Sequence, residues 1–159
     1  MNKNIFRISL KNIAIILLIA IFFIVDRYLK LLALNQNLQP PVKLIGNFFS
    51  FNFTPNYYMA FSLPFSGLVL NSIIIAVIFG LIYLIFYLIL NDYKPKSSII
   101  LLTIILFGAI SNILDRISCG YVIDYFELRY FTVFNLADAM ISLGAIFFLL
   151  NSIVPLKKL

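Results

Sequence analysis

Four long apolar stretches organise this chain, and polar residues gather between them. The first runs from about Ile13 to Leu34, uninterrupted to Val25 and then carrying Asp26, Arg27 and Lys30 near its end. The second, Leu68 to Leu90, holds no charge over its length. The third extends from about Ser97 to Leu114 and stops at Asp115, and the fourth, Phe134 to Val154, contains Asp138 as its one charge. A membrane helix needs ~20 largely apolar residues, so the pattern predicts four transmembrane helices. The first stretch follows Lys3, Arg7 and Lys11, as a signal peptide would. No small-x-small cleavage site follows it, and Asp26-Arg27 does, so it reads as a retained span. Two connections have a different texture. Gly46 to Leu63 is rich in Phe, Tyr and Asn, and Gly120 to Phe134 contains Tyr121, Val122, Ile123, Tyr125 and Phe126. Both favour short strands or an interfacial platform. The expected fold class is an all-α membrane protein, one domain over residues 1–159, with a small β element outside the membrane.

Composition removes the soluble alternative. Hydrophobic residues make up 63% of the 159 residues and charged residues only 11%. A soluble domain carries about 45–50% and about 25%. Lipid must therefore be the solvent for most of the surface. The net charge of +6 could suggest nucleic acid, but the basic residues sit at the ends of the apolar runs. Membrane orientation explains them better. With both termini inside, the inner segments hold Lys3, Arg7, Lys11, Lys94, Lys96, Lys157 and Lys158, with Asp92 as their one acid. Asp26, Asp115, Asp124, Glu127 and Asp138 then collect at the outer face.

Residue counts narrow the chemistry. Without histidine, Ser-His-Asp, Cys-His and His-zinc mechanisms are excluded, and a single cysteine, Cys119, supports no disulfide or Cys-rich metal site. No glycine-rich phosphate loop is present. Neither a metal nor a cofactor is expected, and carboxylates remain. Asp26 and Lys30, four apart, fit a structural ion pair. Asp115 beside Arg116 suggests a second pair, and Glu127 with Arg129 a solvated rim. Asp124 and Asp138 lack a neighbouring cation, and Asn135 shares a helix face with Asp138. Two such carboxylates can share a proton, one activating water while the other donates to a scissile carbonyl. Intramembrane acids also serve ion-coupled transporters, and spacing alone leaves peptidase and transporter open. Acids placed at one face rather than at mid-bilayer favour the enzyme. A structural assembly protein is the third reading.

Five short motifs then stand in order. Asp26-Arg27-Tyr28-Leu29-Lys30 resembles the D-x-x-x-K element of lipoprotein signal peptidase, or signal peptidase II. Asn56-Tyr57-Tyr58-Met59-Ala60-Phe61-Ser62 looks like its N-x-G-A-A-F segment, and Asn112-Ile113-Leu114-Asp115-Arg116 matches N-x-x-D-R. Gly120-Tyr121-Val122-Ile123-Asp124-Tyr125 matches G-x-V-x-D-F, and Phe134-Asn135-Leu136-Ala137-Asp138 matches F-N-x-A-D. The resemblance implies a four-helix membrane aspartyl peptidase with an extracytoplasmic β-cradle, in the bacterial cytoplasmic (inner) membrane. It implies Asp124 and Asp138 as the catalytic pair, with Asn56, Asn112, Arg116, Asn135, Asp26, Lys30 and Asp115 lining or supporting the site. It implies a diacylglyceryl-modified prolipoprotein as substrate, cleaved before the lipidated cysteine, with membrane lipid around it. Globomycin-type peptides would inhibit, and the chain would act as a monomer. Departures from the pattern are Leu29 for Thr, Tyr58 and Met59 for Gly and Ala, Ser111 for the Gly before Asn112, and Ala139 for Ser. The Tyr58 change bears on the shape of the cradle.

Overall fold

Helix α1 spans Leu10–Asn35, α2 Gly67–Asn91, α3 Lys96–Cys119 and α4 Leu136–Ile153. The computed structural model describes residues 10–35, 41–58, 67–91 and 96–153. Met59, Ala60, Phe61 and Ser62 of the second motif, and the basic residues assigned above to the inner face other than Lys11 and Lys96, lie outside the described residues. Two helices, Gly67–Asn91 and Ser97–Cys119, are long and apolar enough to cross a membrane by length and composition. Helix α1 carries Asp26, Arg27 and Lys30, and the apolar part of α4 is shorter, Leu136–Asn151.

One boundary differs from expectation. The third apolar run was expected to end at Asp115, yet α3 continues to Cys119. Charge ends a span only where nothing inside the protein satisfies it, and here α1 supplies cations. Helices α3 and α4 come close where glycines allow it. A Cβ on Gly108 would stand 2.7 Å from the Ala137 carbonyl oxygen. Gly144 makes a similar approach to Ile105. Small residues let membrane helices pack backbone to backbone.

The two aromatic connections form one sheet. Strands β1 (Val42–Ile45), β2 (Phe49–Asn56), β3 (Val122–Leu128) and β4 (Val133–Phe134) pair antiparallel in the order β1-β2-β3-β4. The expected extended segments thus appear, as hairpins. Register sets Thr54 opposite Asp124 and Asn56 opposite Val122 at the helix end of the sheet. The other end carries two turns, residues 46–48 and 129–132. Phe51, Phe53, Tyr121 and Phe126 pack around Ile123, Tyr125 and Ala33, seating the sheet against α1.

Candidate active site

The first turn of α4 organises the site. Its N-terminal N–H groups have no partners within the helix. Asn135 is the N-cap: its Oδ1 accepts from the Asp138 N–H at 2.8 Å, while Asp138 Oδ2 accepts from the Asn135 N–H at 3.2 Å. This reciprocal capping box holds the Asp138 carboxylate against the helix start. The Leu136 N–H donates to the Tyr125 hydroxyl at 3.0 Å and the Ala137 N–H to Asp26 Oδ1 at 3.1 Å. Strand β3 and helix α1 therefore complete the cap.

Asparagine amides hold both carboxylates. Asn135 Nδ2 donates to Asp124 Oδ1 at 2.7 Å, and Asn56 Nδ2, from the end of β2, donates to Asp124 Oδ2 at 3.0 Å. Asn112 Nδ2, from α3, donates to Asp138 Oδ1 at 2.7 Å. Asn135 thus touches both acids, binding Asp124 with its amide and Asp138 with its cap. Neither acid takes part in a salt bridge among the described residues. Asp124 is only 2% exposed. Burial first, and then the charge of Asp138, push its carboxyl from the ordinary 3.8 up to about 7, against the Asn56 and Asn135 hydrogen bonds and the more distant Lys30 charge. Desolvation and a like charge both disfavour the ionised form, which the two amides favour.

A second cluster of acids lies alongside. Lys30, fully buried, donates to Asp115 Oδ2 at 2.7 Å, to Asp26 Oδ2 at 3.1 Å and to Asn112 Oδ1 at 2.8 Å. Arg27 bonds Asp115 Oδ1 and the Ser111 carbonyl. Ser111 donates to Asp26 at 2.5 Å, and Tyr125 donates to the same carboxylate at 2.8 Å. Burial and then the Asp26 charge raise the Tyr125 hydroxyl above its ordinary value, so it stays protonated as a donor. Asp115 Oδ2 also accepts from the Ile123 N–H, tying β3 to α3. Among the described residues, no group of three or more His, Cys, Asp or Glu side chains is arranged to hold a metal ion.

One expected pair is corrected. Sequence adjacency suggested Asp115 with Arg116. Neighbours on a helix do not face each other. Asp115 turns toward α1, and Arg116 donates to the Tyr57 and Tyr58 carbonyls at 3.3 and 2.6 Å. Among the described residues, the Arg116 Nε is buried without a hydrogen-bond partner. Glu127 and Arg129, read as a rim, line one recess, where Glu127 accepts from Asn52 at 3.0 Å and Ser50 at 3.4 Å across the sheet. The Asp26–Lys30 pair forms as expected. Arg27, Ser111 and Tyr125 escaped the sequence reading of the site. Ser111, noted there as a departure from the family pattern, adds a hydroxyl to the ion cluster. Tyr58, another departure, is half-exposed and contributes its backbone: its N–H donates to Asn56 Oδ1 at 3.1 Å.

An apolar helical body, a small antiparallel sheet and an amide-bound carboxylate pair where they meet together define a membrane protein with the means for acid–base chemistry. The fold has solved counterparts among membrane enzymes. A bacterial membrane enzyme determined in meso at 2.3 Å resolution superposes with a TM-score of 0.75 at 20% identity, over 92% of this chain and 93% of that one. A second, at 1.9 Å, gives 0.72 at 19%, over 91% and 94%. A family model for signal peptidase (SPase) II matches residues 18–154. The lipoprotein signal peptidase of Clostridium tetani is 36% identical over 137 residues, 82% of this chain and 86% of the relative. That of Moorella thermoacetica is 33% identical over 146 residues, 87% and 93%. The chain belongs to the signal peptidase II family, a family of membrane proteases.

Proposed function

We propose that this chain is an intramembrane aspartyl endopeptidase that removes signal peptides from lipidated bacterial prolipoproteins, cutting before the diacylglyceryl-cysteine. The carrying observation is that Asp124 and Asp138 are bound by amides and backbone N–H groups rather than by cations, with Asn135 touching both. Such a pair holds one proton between two carboxyls near neutral pH. One carboxylate takes a proton from water as the hydroxide adds to the scissile carbonyl carbon. The other, protonated, donates to the carbonyl oxygen. The carbon–nitrogen bond then breaks, and the leaving nitrogen departs with a proton from the pair. No metal or cofactor enters this scheme. Asn56, Asn112 and Asn135 orient the acids. Asp26, Lys30 and Asp115 support α4 and Asn112, and Arg116 holds the chain beyond β2.

In this reading all four helices cross the cytoplasmic (inner) membrane of a bacterium, both termini face the cytoplasm, and residues 1–159 form one domain acting as a monomer. The sheet lies at the extracytoplasmic face as a cradle over the substrate. An apolar crevice of about 270 Å³ between α1, α3 and α4, lined on α4 by Leu136, Ala139, Met140 and Leu143, suits the acyl chains of a lipid-borne substrate. Globomycin-type peptides would inhibit.

The test is cleavage of a lipidated precursor by purified, reconstituted protein. Asp124→Asn and Asp138→Asn should each lower the rate roughly 10²–10⁴-fold, the range for losing an acid or base, with folding and insertion retained. Efficient cleavage by either variant would remove the assignment. Proton or solute flux in liposomes, independent of lipidated peptide, would favour an ion-coupled transporter.

A further inference from the structure

The end of the sheet away from the acids has a composition ill-suited to water. Strand register brings the turn after β1 and the turn after β3 together there, and the Arg129 N–H donates to the Phe48 carbonyl across them at 3.0 Å. Gly46, with φ of 52°, makes the first turn possible. Four large apolar or aromatic side chains project from this end: Ile45 is 65% exposed, Phe48 56%, Tyr130 83% and Phe131 82%. A lone exposed apolar residue is ordinary; four on two joined turns form a patch. Beside them a recess of about 350 Å³ is lined by Lys43, Asn47, Ser50, Glu127 and Arg129. Asn52 and Ser50 hydrogen-bond Glu127, and the recess keeps a net positive charge from Lys43 and Arg129. The Arg129 guanidinium lies 5.6 Å from the Tyr130 ring centroid, so cation and aromatic face act as one unit.

We infer that the paired turns are a membrane anchor: Phe48, Tyr130 and Phe131 enter the outer headgroup layer, and the Lys43–Arg129 recess takes the phosphate of a phospholipid headgroup. Aromatic rings favour the depth where hydrocarbon gives way to headgroups, and cations at that depth meet phosphate. The occupant is a bilayer phospholipid, because the cations stand directly beside an apolar patch that a free anion would leave in water. The sheet is then held at both ends, by α1 and α4 at the acids and by lipid at the turns. This fixes its height over the membrane. The inference rests on membrane residence and on the sheet facing the outer leaflet, and not on the assignment of the acid pair.

The test uses the full chain in two ways. In a Cys119→Ser background, an environment-sensitive dye on Phe131→Cys, in vesicles of phosphatidylcholine and phosphatidylglycerol, should be quenched by lipid spin-labelled near the headgroup. Quenching no greater than for a water-facing position overturns the anchor. Native mass spectrometry of detergent-released protein should show bound short-chain phosphatidylglycerol, weakened roughly 25-fold in Lys43→Gln/Arg129→Gln, since each of the two surface cations contributes about a factor of five. Unchanged retention in that variant, or equal competition by inorganic phosphate, overturns the headgroup site. Both readouts are independent of peptide cleavage, so an inactive dyad would not be mistaken for a missing anchor.

Discussion

Two pairs of aspartates lie side by side in this protein, and their difference is in what faces them. Asp26 and Asp115 are fully buried and meet Lys30 and Arg27 directly, two acids against two cations. Asp124 and Asp138 meet Asn56, Asn112 and Asn135. A cation fixes a carboxylate in its ionised form, and the group becomes structural. An amide binds a carboxylate without settling its charge, so the proton stays available. Asn112 stands on the border: Lys30 donates to its Oδ1 while its Nδ2 faces Asp138. The cationic cluster thereby orients the amide whose other end binds Asp138.

Removing the cation should erase the distinction. Lys30→Met leaves Asp26 facing only neutral donors and Asp115 with Arg27 alone, so stability should fall by about 3 kcal/mol, as when one member of a buried ion pair is lost. Chemical unfolding in detergent would measure it. A loss below ~1 kcal/mol would mean that Lys30 contributes little to the stability of the cluster. Asn112→Ala tests the border from the other side. The ion cluster keeps its salt bridges, while Asp138 loses an amide donor. Activity should drop roughly 10–100-fold, as for a charge-assisted hydrogen bond, mostly in kcat rather than KM. A pure KM effect would instead place Asn112 against substrate.

The same comparison explains what could be read in the sequence. The helices follow from apolar runs, because lipid tolerates few charges. The end of α3 was misplaced because Asp115 reads as a terminus until α1 is packed against it. Asp124 and Asp138 were visible as acids without a nearby cation, a property of the local sequence that packing preserved. The pairing of Asp115 was not visible, since Arg27 and Lys30 lie more than eighty positions away and Arg116 next door. Tyr125 was legible only as a strand former; its hydroxyl joins Asp26 to the start of α4 through contacts distant in sequence on one side. Removing that hydroxyl in Tyr125→Phe leaves the Leu136 N–H without its partner and Asp26 one donor short. The loss should be about 2 kcal/mol of stability, with a smaller effect on cleavage, and a thermal melt of the reconstituted protein would measure it.

The smallest expected effect is the most specific to the amide-bound pair. Asp124 titrates near 7 because burial and the Asp138 charge outweigh two amide donors that favour its ionised form. Asn56→Ala removes one of those donors and leaves burial and Asp138 in place. The neutral carboxyl gains relative to the carboxylate, so the midpoint moves upward. The limb of kcat/KM belonging to Asp124 should shift to higher pH, by up to about one unit, since one unit corresponds to about 1.4 kcal/mol and a single hydrogen bond to a charged group is of that size. A profile that Asn56→Ala leaves unmoved would mean that the limb does not belong to Asp124. A shift to lower pH would mean that Asn56 favours the protonated form, with its carbonyl oxygen rather than its NH₂ turned toward Asp124.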